Sequence, residues 1–308
     1  MTLVDDVKNG DRRALGRLVS AVEDDTATGR ETLAAVYRDG GAAWITGITG
    51  APGAGKSTLV DLLVEQARRS GPVAVVAVDP SSAFTGGAML GDRVRMQRHT
   101  DDAGVYIRSM ANRGHLGGIA AATPRVVALL DGLGYSEILI ETVGVGQAEV
   151  EVASSADTVV VVVNPGWGDA IQAAKAGLLE IGDVFVVNKA DRQGAEQAVN
   201  ELIGALELGR ARPWFPPVIE TVATDGAGLA ELWDAIGAHR RHLDESGERE
   251  QRSVVRVHAE VEAALTARLR HTATSALPPE ILDRVLARRV DPWSAASEMV
   301  ANGPFETS

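Results

Sequence analysis

Residues 50–57 read Gly50-Ala51-Pro52-Gly53-Ala54-Gly55-Lys56-Ser57, which satisfies G-x-x-x-x-G-K-[ST] without a mismatch. An apolar stretch, Ala43-Trp44-Ile45-Thr46-Gly47-Ile48, precedes it. The run from Thr58 to Ala67 (TLVDLLVEQA) follows with apolar residues at helical spacing. A buried strand, a glycine-rich turn and a helix start in that order make a phosphate cradle. Backbone N–H groups and the positive helix end face an anion, and the glycines let the chain approach it. Lys56 is expected to reach the β- and γ-phosphates, with the Ser57 hydroxyl on Mg²⁺ and Thr58 completing the lining. A chance match is the competing reading in a chain with 33 glycines, but chance does not supply both flanks.

The rest of the chain suits that start. Val73 to Val78 (VAVVAV), Glu137 to Ile140 (EILI), Thr158 to Val163 (TVVVVV) and Val184 to Val187 (VFVV) are nearly continuous apolar runs, and Pro217 to Ala223 is a weaker one. Such runs suit parallel strands buried on both faces, so the expected fold is α/β, a P-loop NTPase with a doubly wound, mostly parallel sheet. Residues 1–40 read as an N-terminal helical extension, with Leu15, Leu18 and Val19 on one face of a helix over Asp11 to Val22 and a second short helix over Thr32 to Tyr37. Residues 41–238 read as the nucleotide-binding domain. Residues 239–308 read as a C-terminal helical arm whose long helix, Glu248 to Arg270, spaces Val254, Val257, Val261, Leu265 and Leu269 on one stripe. That stripe can pack on its own domain or on a second subunit. Shorter helices are expected after Pro278 and Pro292.

Bulk properties exclude several classes. A net charge of −12 argues against a nucleic-acid-binding surface. With no cysteine, disulfides, iron–sulfur clusters and thiolate metal sites are impossible within the chain. Residues 1–10 (MTLVDDVKNG) show neither a basic nor an apolar leader region, and the TVVVVV run is too short to cross a bilayer. A cytoplasmic, membrane-free protein is expected.

The base is read from a second motif. Asn188-Lys189-Ala190-Asp191 follows the strand Val184 to Val187 and matches N-K-x-D. The Asp191 carboxylate can accept both N1–H and the 2-amino group of guanine, whereas adenine offers a lone pair at N1 and is repelled, so GTP is favoured over ATP. Thr221-Val222-Ala223 falls where a second guanine-contacting loop would donate backbone N–H groups. Asp79 ends an apolar strand beside the cradle and suits Mg²⁺ or its waters, though it can equally form a turn. Glu141-Thr142-Val143-Gly144 occupies the D-x-x-G position with Glu for Asp; the Gly144 N–H could sense the γ-phosphate, and Gln147 lies three residues on. The run Gly87 to Arg98 is glycine-rich and then basic, which suits a loop over phosphates or an ordinary solvated helix.

Taken together, VDPSS at 78–82, GDRVRM at 91–96, RSMANRGHLGG at 108–118, ETVGVGQ at 141–147 and NKAD at 188–191 resemble the MeaB/ArgK-type branch of the metallochaperone-related P-loop GTPases. That branch includes the bacterial chaperone of methylmalonyl-CoA mutase and its human mitochondrial counterpart. The resemblance implies hydrolysis of GTP to GDP and phosphate with Mg²⁺, and a homodimer formed through the C-terminal arm. It also implies an adenosylcobalamin-dependent acyl-CoA mutase as partner, whose cofactor loading is gated and which is protected or rescued from inactivation. By motif position it assigns Lys56 to phosphate, and Asp79, Asp92 and Glu141 to Mg²⁺ binding and hydrolysis. A family switch loop maps onto Gly166 to Lys175, matched at Gln172 and Lys175, but with Ala170 where an acidic residue is expected and Trp167 where a small one is usual.

Two other functions compete. A nickel-inserting chaperone would need Cys or His ligands; the one close pair, His239 and His242, reads as a solvated helix face rather than a metal site. An ATP-dependent kinase linked to amino-acid transport is opposed by Asp191.

Overall fold

The computed structural model describes residues 3–79, 97–99, 101–111, 118–142, 155–166, 177–209, 212–275 and 278–302. Its strands are β1 (Trp44–Gly50), β2 (Val73–Asp79), β3 (Val105–Ala111), β4 (Glu137–Thr142), β5 (Thr158–Val163), β6 (Val184–Asn188) and β7 (Val218–Thr221). They pair in the order β3-β2-β4-β1-β5-β6-β7, every described pairing being parallel. Its helices are α1 (Leu3–Lys8), α2 (Arg12–Glu23), α3 (Ala27–Val36), α4 (Lys56–Arg68), α5 (Gly118–Gly132), α6 (Ala195–Glu207), α7 (Leu229–Ser246), α8 (Glu248–Ser275), α9 (Pro279–Leu286) and α10 (Pro292–Asn302).

The strand period of two explains the unbroken apolar runs. Val159, Val161 and Val163 of β5 join one core cluster while Val160 and Val162 join the other, and Phe185 and Val187 of β6 face away from Val184 and Val186 in the same way. The first cluster is closed by α2 and α5 through Leu18, Val19, Val126 and Leu130. The second is closed by α4 and α7 through Leu59, Leu63, Leu232 and Ile236. Helices on both faces make the doubly wound sheet that was expected. Its parallel strands send their C-terminal ends to one edge, where ligands of such sheets bind.

Asp11, the residue before α2, accepts hydrogen bonds from the N–H groups of Arg13 and Ala14 at 2.7 and 3.0 Å, and these bonds hold its carboxyl below the usual range. Glu23 at the end of the same helix pairs with Arg108 of β3, both buried. Edge strand β3 escaped the sequence reading because its last four residues, Arg108 to Ala111, open the RSMANRGHLGG run. Arg108 interrupts the apolar pattern, and its partners Glu23 and Ser20 on α2 let it face inward.

The chain divides into two compact units, Met1–Val261 and Glu262–Ser308. In the first, the beginning of α8 is gripped by charge. Arg252 forms a two-pronged pair with Asp183 at 2.8 and 2.9 Å, and Arg256 reaches the fully buried Asp157 at 3.1 Å. Asp157 and Asp183 in turn accept from the N–H groups of Ile45 and Val159. The polar face of α8 is therefore the packed one, and its apolar stripe stays outside, with Val254, Val257, Val261 and Leu265 between 44% and 58% exposed. In the second unit, α9 and α10 are joined by a two-pronged Arg284–Glu298 pair at 2.9 and 3.0 Å.

Candidate functional site

β1 delivers the chain to the C-terminal edge of the sheet and turns there on glycines. Gly50 has φ +128°, and a Cβ on it would lie 2.0 Å from the Val162 carbonyl oxygen of neighbouring β5. Gly55 has φ +98° and directly precedes α4, with no side chain capping the helix. The first N–H groups of α4 are thus left to an anion, in the positive field of the helix end. Lys56 is buried, and its ammonium donates to the carbonyls of Gly50 and Ala51 at 2.8 and 3.0 Å, which holds it over the mouth of the loop.

Ser57 donates its hydroxyl hydrogen to Glu141 Oε1 at 2.5 Å. Glu141 comes from β4, whose register sets it beside Ile48 of β1, and it is 1% exposed. The following residue, Thr142, donates to the Thr49 hydroxyl at 3.0 Å, so β1 and β4 are cross-linked immediately below the cradle. A hydroxyl and a carboxylate meeting in a buried corner form a hard, oxygen-only donor set, and that chemistry fits Mg²⁺. Asp79 ends β2, one residue beyond the strand's last pairing with β4. Asp92, Gly144, Gln147, Trp167, Ala170, Gln172 and Lys175 lie outside the described residues.

The NKAD run is tied to the cradle by two side chains, those of Asn188 and Lys189. Asn188 is 2% exposed; its amide donates to the Ala54 carbonyl at 2.7 Å, and its Oδ1 accepts from the Thr221 hydroxyl and the Ala223 N–H, each at 3.1 Å. A Cβ on Gly55 would stand 2.3 Å from the Asn188 Nδ2. Lys189 adopts φ +60°, a left-handed conformation that costs a non-glycine residue about 1 kcal/mol or more. The turn sends its ammonium across to the Gly53 carbonyl at 2.6 Å. Asp191 is exposed.

The loop 221–223 differs from the expectation in detail. The Val222 N–H is taken by the Ala227 carbonyl and the Ala223 N–H by Asn188. A tight Val222–Ala227 bridge turns these donors inward, so residues 221–223 brace Asn188 instead of offering those two N–H groups to a base. The motif spacing gave no sign of this use.

The His239–His242 pair also needs correction. His239 is fully buried, not solvated. Its Nδ1 lies 2.9 Å from the Thr158 hydroxyl, Asp183 stands 3.4 Å from Nε2, and the Trp214 ring packs 5.1 Å away. Burial pushes its pKa down to about 4. No group of three or more His, Cys, Asp or Glu suited to a metal ion occurs among the described residues. No described helix is long and apolar enough to cross a membrane.

With this geometry in hand, the model of one protein family, described as methylmalonyl Co-A mutase-associated GTPase MeaB, matches residues 15–277. The chain belongs to the MeaB family. Membership makes it a GTP hydrolase. A putative GTPase of Pyrococcus abyssi is 48% identical over 96% of this chain and 94% of its own length. A mouse protein named methylmalonic aciduria type A homolog, mitochondrial, is 41% identical over 66% of this chain and 50% of its own. Among solved structures, that of an LAO/AO transport system kinase superposes with TM-score 0.72 at 26% identity, covering 97% of this chain and 96% of that one. The family assignment and the geometry thus agree on a P-loop GTPase.

Proposed function

We propose that this MeaB-family GTPase is the chaperone of an adenosylcobalamin-dependent acyl-CoA mutase, with methylmalonyl-CoA mutase as the first candidate. GTP binding and hydrolysis would gate cofactor loading and protect or reactivate the mutase. The observation that carries the reading is the 2.5 Å contact between Ser57 and Glu141, which joins the glutamate of the ETVGVGQ run to the hydroxyl of the cradle. It is supported by the family description and by the mouse relative's name.

In the proposed reaction, water attacks the γ-phosphorus of GTP. The bond from that phosphorus to the bridging oxygen breaks, and the electron pair leaves with GDP as phosphate is released. Lys56 and the first N–H groups of α4 meet the charge on the β- and γ-oxygens. Ser57 and Glu141 would hold Mg²⁺, with Asp79 and Asp92 contributing. The ion would neutralise charge shared between the two phosphates. Glu141, Asp92 and Gln147 are assigned to hydrolysis, and Gly144 to sensing the γ-phosphate. Asn188, Lys189 and Asp191 read guanine, with Thr221, Val222 and Ala223 behind them.

The proposed arrangement has three parts, 1–40, 41–238 and 239–308, in a cytoplasmic homodimer. The outward apolar stripe of α8 supports the dimer, because its opposite, arginine-bearing face is already engaged. Capture from the native cell on this protein loaded with a non-hydrolysable GTP analogue, and in parallel with GDP, tests the partner. Recovery of a cobalamin-dependent mutase supports the reading, and recovery of a nickel enzyme contradicts it. Phosphate transfer from ATP to a protein would instead favour the reading as an ATP-dependent kinase linked to amino-acid transport.

A further inference from the structure

The phosphate loop is tied to β4 at both of its ends. Ser57, just after the loop, donates to Glu141 at 2.5 Å, and Thr49, just before it, accepts from the Thr142 hydroxyl at 3.0 Å. Glu141 and Thr142 are consecutive residues of one strand, so their side chains point to opposite faces of the sheet. Glu141 shares the α4 face with Leu139, and Thr142 shares the α5 face with Ile138 and Ile140. Thr49 and Thr142 are both fully buried.

The threonine tie stands where the sheet forks. The β1–β4 register runs from Trp44 opposite Glu137 to Ile48 opposite Glu141 and stops there. Past that point β1 stays with β5, through Thr49–Val161 and Gly50–Val162, and β4 stays with β2, through Val78–Thr142. The Thr49–Thr142 bond therefore continues the link with side chains where the main-chain ladder ends. A buried hydroxyl must find a partner, and a threonine pair inside a core is commonly no more than that. Two valines would fill the same space with no polar group to satisfy. Placement decides between the two readings: the pair lies at the fork, one residue from Glu141 and one from Gly50. A strand end held on a single face can rotate about its axis and swing its carboxylate. Ties on both faces remove that freedom.

We propose that Thr142 and Thr49 are positioning residues: their bond fixes the rotation of the β4 end, and so holds the Glu141 carboxylate against the Ser57 hydroxyl, ready for Mg²⁺. Neither threonine is itself a metal ligand. They act through Glu141, and the proposal rests on the assignment of Ser57 and Glu141 to Mg²⁺ above.

The test is calorimetric binding of a non-hydrolysable GTP analogue to the full-length protein over a series of Mg²⁺ concentrations, with Tm measured alongside. Thr142→Val is expected to raise by about tenfold the Mg²⁺ concentration that gives half of the metal-dependent gain in affinity, with Mg²⁺-free GDP affinity held within about twofold. Thr142→Ser keeps the hydroxyl and should stay within about twofold of wild type in both. The decisive variant is Thr142→Val combined with Thr49→Val. The single valine leaves the buried Thr49 hydroxyl without its partner and lowers Tm, whereas the double one removes both hydroxyls and should recover most of that loss. Its Mg²⁺ requirement should remain about tenfold raised, because the tie is still cut. An unchanged Mg²⁺ requirement in either valine variant, or one that recovers together with Tm in the double variant, would overturn the proposal, since the pair would then serve packing alone. A wild-type protein whose analogue affinity ignores Mg²⁺ would sink the metal assignment itself, and so the two failures are distinguishable.

Discussion

Asn188 and Ala54 are 134 residues apart in sequence, yet the asparagine amide donates to the alanine carbonyl at 2.7 Å. This bond connects the strand end that carries the NKAD run, proposed to read the base, to the loop proposed to hold the phosphates. Removing the amide strands three partners at once: the Ala54 carbonyl, the Thr221 hydroxyl and the Ala223 N–H. Each buried polar group left unpaired costs about 1–3 kcal/mol. Asn188→Ala is therefore expected to weaken GDP and GTP alike by about a hundredfold or more in calorimetry, with a lowered Tm.

Gly55 and Gly53 offer a matched comparison within the loop. Both have positive φ, at +98° and +71°, but only at Gly55 would a Cβ meet Asn188; at Gly53 nothing lies within 4 Å. Gly53→Ala should show backbone strain alone, about 1 kcal/mol. Gly55→Ala should add displacement of Asn188 and lose at least about tenfold more nucleotide affinity, again by calorimetry.

Glu141→Gln keeps the shape beside Ser57 and removes the charge. Mg²⁺ binds a carboxylate far better than an amide. The expected outcome is GDP affinity close to wild type without Mg²⁺, loss of the gain in GTP affinity that Mg²⁺ provides, and hydrolysis slowed by about a hundredfold. Nucleotide titrations with and without Mg²⁺ check all three.

Two buried groups at the N-terminal strand ends give opposite pH dependences. His239 is pushed down to about 4, chiefly by burial. The unfolded chain takes up its proton below about 6.5 while the folded chain does not, so stability falls as pH drops from 6.5 towards 4. Glu137 is pushed up to about 7, again chiefly by burial, against the opposing pull of Arg240 3.0 Å away. The folded chain holds that proton between about 4.5 and 7. The Glu137 contribution is therefore full below 4.5 and lost as pH rises through 7. In urea unfolding at a series of pH values, His239→Gln should flatten the acid loss of stability and Glu137→Gln should steepen it.

The outward stripe of α8 predicts an assembly. Val257→Glu combined with Val261→Glu sets two charges on residues 44% and 53% exposed in the single chain. Sedimentation should show the wild type as a dimer and the variant as a monomer with an unchanged rate of basal GTP hydrolysis. A monomeric wild type would remove the dimer.

Much of this site was legible in the sequence because its chemistry is local. The phosphate loop is one contiguous run between a strand and a helix, and NKAD follows an apolar strand directly, so the strand–loop–helix shape of the cradle was legible and a role for Asp191 could be proposed by position. The parallel sheet was legible where both faces are buried, since β5 and β6 then read as nearly continuous apolar runs. What escaped depends on partners distant in sequence. The bracing of Asn188 by Thr221 and Ala223, the inward Arg108 of β3 and the burial of His239 beside Thr158 and Asp183 are set by tertiary neighbours. The sequence left the orientation of α8 open for the same reason. Its apolar stripe can pack on its own domain or on a second subunit, and three arginines that find buried acceptors at Asp157, Asp183 and the Ala43 carbonyl turn the valines of the stripe outward.

The most direct test of the account is the base preference of Asp191→Asn, measured by calorimetry with GTP and with xanthosine triphosphate. Xanthine carries an oxygen where guanine carries the 2-amino group, so an amide at 191 pairs with it and a carboxylate does not. The account predicts that the variant loses about a hundredfold or more in GTP affinity and gains xanthosine triphosphate binding. A variant that still binds GTP as tightly as wild type and rejects xanthosine triphosphate would contradict it.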